Sequence, residues 1–212
     1  MLSVYNYMAG GLAITGAVAF VATATGFYQQ IAGTPLIWLV MLAPLAAVLF
    51  LSFRIERMSF GTAQTVFWAY AGLMGLSLAG ILLIYTGTSV ARVFFISAGT
   101  FAAMSLYGYS TSRDLSRFGS FLIMGLIGIM LAGLVNIFVA SSALQFVISI
   151  IGVLVFTGLT AYDTQRIKEV FYTVRIGGDP AKTALMGALT LYLDFINLFV
   201  MLLQLTGERR ER

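Results

Sequence analysis

Hydrophobic positions in this chain do not alternate and do not keep to one stripe. They run through whole segments, and the polar residues collect between them. A helix that is apolar all round and about 20 residues long fits a ~30 Å hydrocarbon layer. Seven such segments are predicted, at approximately 7–31, 35–53, 60–85, 91–111, 118–139, 144–164 and 184–206. Pro35 suits a first helical turn. Asp179-Pro180 reads as a cap and first residue of the seventh segment, and the sixth continues helically to about Tyr172. The opening "MAGGLAITG" is too glycine-rich, and its segment too long and without a basic lead, for a cleaved signal peptide. Ala71 with Gly75, and Gly125, Gly128 and Gly133, read as small residues that let helices approach. The expected fold class is an all-α membrane protein, one seven-helix domain over residues 1–212 with the seventh helix central.

Composition sharpens this. The 212 residues are 60% hydrophobic and 9% charged, where a soluble domain carries roughly 25% charged residues. The net charge of +4 is set by Lys and Arg beside apolar runs, which orient membrane proteins rather than bind nucleic acid. Arg54 and Arg57, then Arg113 and Arg117, then Arg166, Lys168, Arg175 and Lys182 fall in alternate connections. The opposite connections hold only Arg92. The positive-inside rule therefore places the N-terminus on the cytoplasmic side, with the tail "GERRER" outside as an exception. There is no cysteine and no histidine. Thiolate chemistry and disulfides are excluded, and any response to pH near neutrality must come from carboxylates.

Two acids stand apart from the rest. Asp194 lies well inside the seventh segment, in "LYLDFINLF", and Asp163 lies near the cytoplasmic end of the sixth. Gly187, Thr190, Asp194, Asn197, Met201 and Gln204 recur at spacings of three and four, one face of a helix. An ionised carboxylate in hydrocarbon costs several kcal/mol unless hydrated, paired or protonated. At 1.5 Å per residue the two acids sit about 13 Å and about 21 Å from their respective helix ends, an offset that tilt can close. Side by side they would share a proton. The alternative is that each acid bonds to hydroxyls such as Thr160 or Tyr162 and stabilises the bundle. Thr190, Asn197 and Gln204 are candidate pore-lining residues, although packing is the favoured reading of Asn136, Asn197 and Gln204. Arg54 and Arg57 are either orienting charges or a cation that pairs with one of the acids and closes a path.

Three stretches, "YTGTSVARVFFISAGTFAAMSLYGYSTSRDLS", "VFTGLTAYDTQRI" and "LYLDFINLF", resemble the Bax inhibitor-1 family, also called the transmembrane Bax inhibitor motif family, and its bacterial members above all. The likeness runs from "VYNYMAGGLAITG" to the seventh segment. It implies a seven-helix fold wrapped round a central last helix, and the activity of a pH-sensitive calcium leak channel in a bacterial inner membrane. It further implies that Asp163 and Asp194 form the titrating pair and weak, transient calcium ligands, and that an arginine on the second helix latches the closed state. "FRIERMSFG" offers Arg54 or Arg57, with Arg54 nearer the helix end. In the expected mechanism a shared proton, or an arginine bridge, seals the bundle, and loss of the proton opens it. No tightly bound cofactor is expected; the partners are the bilayer and calcium as permeant ion. Association with apoptosis regulators belongs to eukaryotic members and is not carried over.

Two other readings compete. A proton-coupled transporter would also use membrane carboxylates, but no inverted repeat or pair of broken helices is evident. An intramembrane aspartyl protease would use two acids around a water, yet "LYLD" stands where such enzymes carry GxGD, and no enzyme is expected. A retinal protein needs a lysine inside the membrane, and Lys168 and Lys182 both lie in the last connection.

Overall fold

The breaks between the apolar runs fall where local chemistry ends a helix. In the computed structural model, which describes residues 1–174 and 179–210, α1 (Leu2–Ala24) stops before Gly26, whose φ of 72° is left-handed. Only glycine adopts that conformation without strain. A short helix α2 (Phe27–Ala32) follows, so the segment expected at 7–31 is two helices, the first starting five residues earlier than expected. Pro35 precedes α3 (Leu36–Arg54), which runs into a 3₁₀ turn at Ile55–Arg57. Ser59 then caps α4 (Phe60–Ile84), its hydroxyl accepting from the Thr62 N–H at 3.2 Å. The remaining helices are α5 (Gly87–Ser110), α6 (Ser116–Val139), α7 (Ser142–Val174) and α8 (Pro180–Thr206). Asp179 caps α8 as the sequence suggests, its Oδ1 accepting from the N–H of Ala181 at 3.0 Å. Arg175, Glu211 and Arg212, counted above among loop and tail charges, lie outside the described residues.

Among the described residues, seven helices are long and apolar enough to cross a membrane. The most enclosed is α8, with 61% of its most apolar stretch buried against 39% or less for every other span. This is the central last helix that the sequence led us to expect. At 33 residues α7 is about 50 Å long, well beyond a ~30 Å apolar layer. The helix continues past Tyr172 as expected, so Arg166 and Lys168, counted with the charges of the connection, lie on α7.

Packing divides the chain into two units. The first holds Met1–Thr86, Phe171–Tyr192 and the tail from Arg209. Within it, α1 meets α4 where Gly75 leaves room for the Thr15 carbonyl. The Thr15 hydroxyl donates to the Ala71 carbonyl at 2.9 Å and lies 2.6 Å from the Tyr192 hydroxyl. The Ala71–Gly75 pair is a packing seam, as its spacing suggested.

The second unit holds Gly87–Val170 and Leu193–Glu208. Here α5 and α7 touch at Gly108, against the backbone of Ala161, and α6 meets α7 at Gly119 and Gly125, against Tyr162 and Val155. Gly128 and Gly133 are a correction. Nothing lies within 4 Å of where their Cβ atoms would be, so they face open space. A glycine spacing states that close approach is affordable, and the facing helix decides which glycines meet it.

Candidate functional site

The stretch "AYDTQRI" on α7 uses nearly every residue. Tyr162 fills the notch left by Gly119 of α6. The Thr164 hydroxyl, fully buried, lies 3.0 Å from that of Ser105 on α5. Gln165 is buried and spans the connection between α5 and α6. Its Oε1 accepts from the Leu115 N–H at 2.9 Å, and its Nε2 donates to the Arg113 carbonyl at 2.8 Å. A buried amide with both ends satisfied is a rigid peg. Between these fixed neighbours, Asp163 is half-buried. One turn further on, the exposed Arg166 acts on it electrostatically.

Opposite, α8 presents "LDFINLF". Phe195 packs edge-on against Phe94 and Phe101 of α5, with ring centroids 5.6 and 5.7 Å apart, which fixes the rotation of α8 in this unit. Asp194, next to it, is only 5% exposed. Its carboxyl and that of Asp163 lie within hydrogen-bonding reach of one another. Asp194 Oδ2 finds no N–H or protein hydroxyl donor among the described residues. Two carboxylates offer acceptors only. A hydrogen bond between them therefore needs a proton on one of the two.

The other candidate residues are placed less simply. Thr190 and Asn197 are half-buried and donate to carbonyls four residues back on their own helix, at 3.1 and 2.9 Å. Gln204 is exposed near the end of α8, where its Oε1 accepts from Gln145 Nε2 at 2.8 Å and from the Ser149 hydroxyl at 3.3 Å. Gln145 in turn accepts from Asn136 at 3.1 Å, so Asn136 and Gln204 belong to one interhelical polar chain. Arg54 and Arg57 are both exposed and belong to the first unit, whereas both aspartates belong to the second. Sequence reasoning passed over Gln165 and read Arg166 only as an orienting charge. The signal was there, since Arg166 stands three residues from Asp163, one helical turn on the same face.

The family model described as "Inhibitor of apoptosis-promoting Bax1" matches residues 1–211. A Rickettsia prowazekii (strain Madrid E) protein is 50% identical over 212 residues, spanning all of this chain and 90% of its own. Inner membrane protein YbhL of Escherichia coli (strain K12) is 46% identical over 214 aligned residues, spanning 99% of this chain and 92% of its own. A Caulobacter vibrioides protein is 44% identical over 224 aligned residues, with 100% and 89% covered.

Proposed function

This chain belongs to the Bax inhibitor family, and from that premise we propose that it is a pH-sensitive calcium leak channel whose gate is the Asp163–Asp194 pair. The observation that carries the proposal is the contact between one half-buried and one buried carboxyl on the two helices that close the chain. With one shared proton the contact is attractive. With none, two charges at about 4 Å and an effective dielectric of about 20 repel by roughly 4 kcal/mol, enough to change how α8 seats. Calcium is the permeant ion in this reading. Carboxylate oxygens suit a hard cation, and two of them fall short of the six to eight ligands of a tight site, so the ion passes rather than stays. The passive path performs no covalent chemistry. Inner membrane protein YbhL supports a bacterial inner membrane as its place, and the loop cations support a cytoplasmic N-terminus.

The test is calcium flux into proteoliposomes across pH 5 to 9. Asp163→Asn and Asp194→Asn should each flatten the pH profile while leaving a folded protein. A profile that survives both substitutions rejects the gate. The transporter reading is separated by the same vesicles loaded with a pH dye, because obligatory coupling would move protons against the calcium gradient and a leak would not.

A further inference from the structure

The end of α8 remote from "AYDTQRI" carries a device that the aspartates do not explain. In the second unit the Arg92 guanidinium, on the first turns of α5, donates to the Thr206 carbonyl at 3.4 Å and to Glu208 Oε1 at 3.1 Å. The Glu208 N–H donates to the Ser89 hydroxyl at 2.9 Å, and Ser89 is 1% exposed. The arrangement is reciprocal. A cation meets a terminal carbonyl of α8, where the helix dipole is negative, and an anion sits at the start of α5, where it is positive. The Gly207 N–H continues the helical pattern, bonding back to the Leu203 carbonyl at 2.8 Å. The Gln204–Gln145–Ser149 cluster adds a second tie between this end of α8 and α7. Sequence alone marks Arg92 as the single cation among the connections on its side.

We propose that Arg92 and Glu208 form an ionic latch that holds the Thr206 end of α8 against the first turns of α5, and that dissolved ions weaken it. The two side chains are 50% and 66% exposed, so mobile ions reach them. Their attraction fades as the screening length falls from about 30 Å at 0.01 M salt to about 3 Å at 1 M. The neutral amide cluster beside them is not screened and keeps the end in register when the latch yields. This is a second hold on the last helix, set by ionic strength, and it stands whether or not Asp163 and Asp194 gate calcium.

The test uses the cysteine-free background. Leu203, 1% exposed, is replaced by cysteine, and its labelling by a water-soluble maleimide is timed in proteoliposomes. Arg92→Gln and Glu208→Gln should each speed labelling by about two- to fivefold, the range an exposed ion pair supports. Raising KCl should speed the parent and leave both variants unchanged. The salt arm needs no substitution at the latch, so a variant that fails to fold does not remove the test. Repeating the series with Asp194→Asn separates failure of the latch from failure of the gate. Equal labelling of parent and variants, or an equal response of all three to salt, overturns the proposal.

Discussion

Replacing Gly108 by alanine should loosen the seam that carries Asp163. A Cβ there would meet the carbonyl oxygen of Ala161, and would lie 2.8 Å from its carbonyl carbon and 2.9 Å from its Cα. All three are backbone atoms of a helix interior, so no side chain can swing aside. Carbon contacts settle near 3.5–4.0 Å, so α5 and α7 must part by about 1 Å. One turn away the Ser105–Thr164 bond, 3.0 Å long, would stretch past its useful range. Overpacking costs about 1–3 kcal/mol and the weakened interhelical bond about 0.6, while alanine regains about 1 in helix propensity. The net expectation is a loss of about 0.6–2.6 kcal/mol. Unfolding by SDS in mixed micelles, followed by circular dichroism, measures it. Gly128→Ala and Gly133→Ala are the controls, since nothing lies within 4 Å of either added carbon. They should be neutral or up to about 1 kcal/mol more stable. A Gly108→Ala protein as stable as the Gly128→Ala protein would refute the reasoning.

Three further outcomes follow from the same structure. Arg166→Gln removes the cation one turn from Asp163 and should move the midpoint of any pH-dependent flux upward by roughly 0.3 unit, the scale of an exposed helical charge pair; an unchanged midpoint would show that Arg166 does not act on the pair. Asp114, in the connection before α6, accepts from the Ser116 N–H at 2.8 Å, and Ser116 holds its carboxyl below the usual range. A depressed folded value stabilises above the unfolded value of about 3.9 and is lost as pH falls through the folded one, so Asp114→Ala should lower the melting temperature at pH 7 and match the parent in strong acid. Gln165→Leu strips the partners from the Leu115 N–H and the Arg113 carbonyl and should cost about 1–3 kcal/mol in the same SDS titration, with faster proteolysis between α5 and α6.

Much of the fold was legible because a membrane leaves a chain few choices. Backbone groups in hydrocarbon must pair within their own segment, so each long apolar run had to be a helix. Asp179 and Pro180 sit at a helix start because capping is local chemistry, readable over four residues. The misread parts were decided by something else. Gly26 ended α1 through a positive φ, in a stretch whose hydrophobicity continues past it. Gly125, Gly128 and Gly133 look alike in sequence, but only Gly125 meets a facing side chain, Val155. Which side of α6 turns toward α7 is a tertiary fact that spacing does not contain.

The site shows the same division. That Asp163 and Asp194 deserved attention was legible from the cost of a carboxylate in an apolar run, and the expected offset of the two helices allowed them to meet. What spacing could not supply was the frame around them. The polar stripe marked α8 as an inward-facing, central helix, and α8 is the most enclosed span, but the polar residues along that stripe differ in exposure, from buried Asp194 through half-buried Thr190 and Asn197 to exposed Gln204. Thr190 and Asn197 turn back to their own backbone, while Gln204 reaches α7. Equal polarity at helical spacing thus covers three different environments, and among the described residues the buried Asp194 Oδ2 has no N–H or hydroxyl donor. The frame on α7 is made by the neighbours of Asp163: Tyr162 in its notch, Thr164 on Ser105, and Gln165 across the α5–α6 connection. On α8, Phe195 against Phe94 and Phe101 holds the neighbour of Asp194 as firmly.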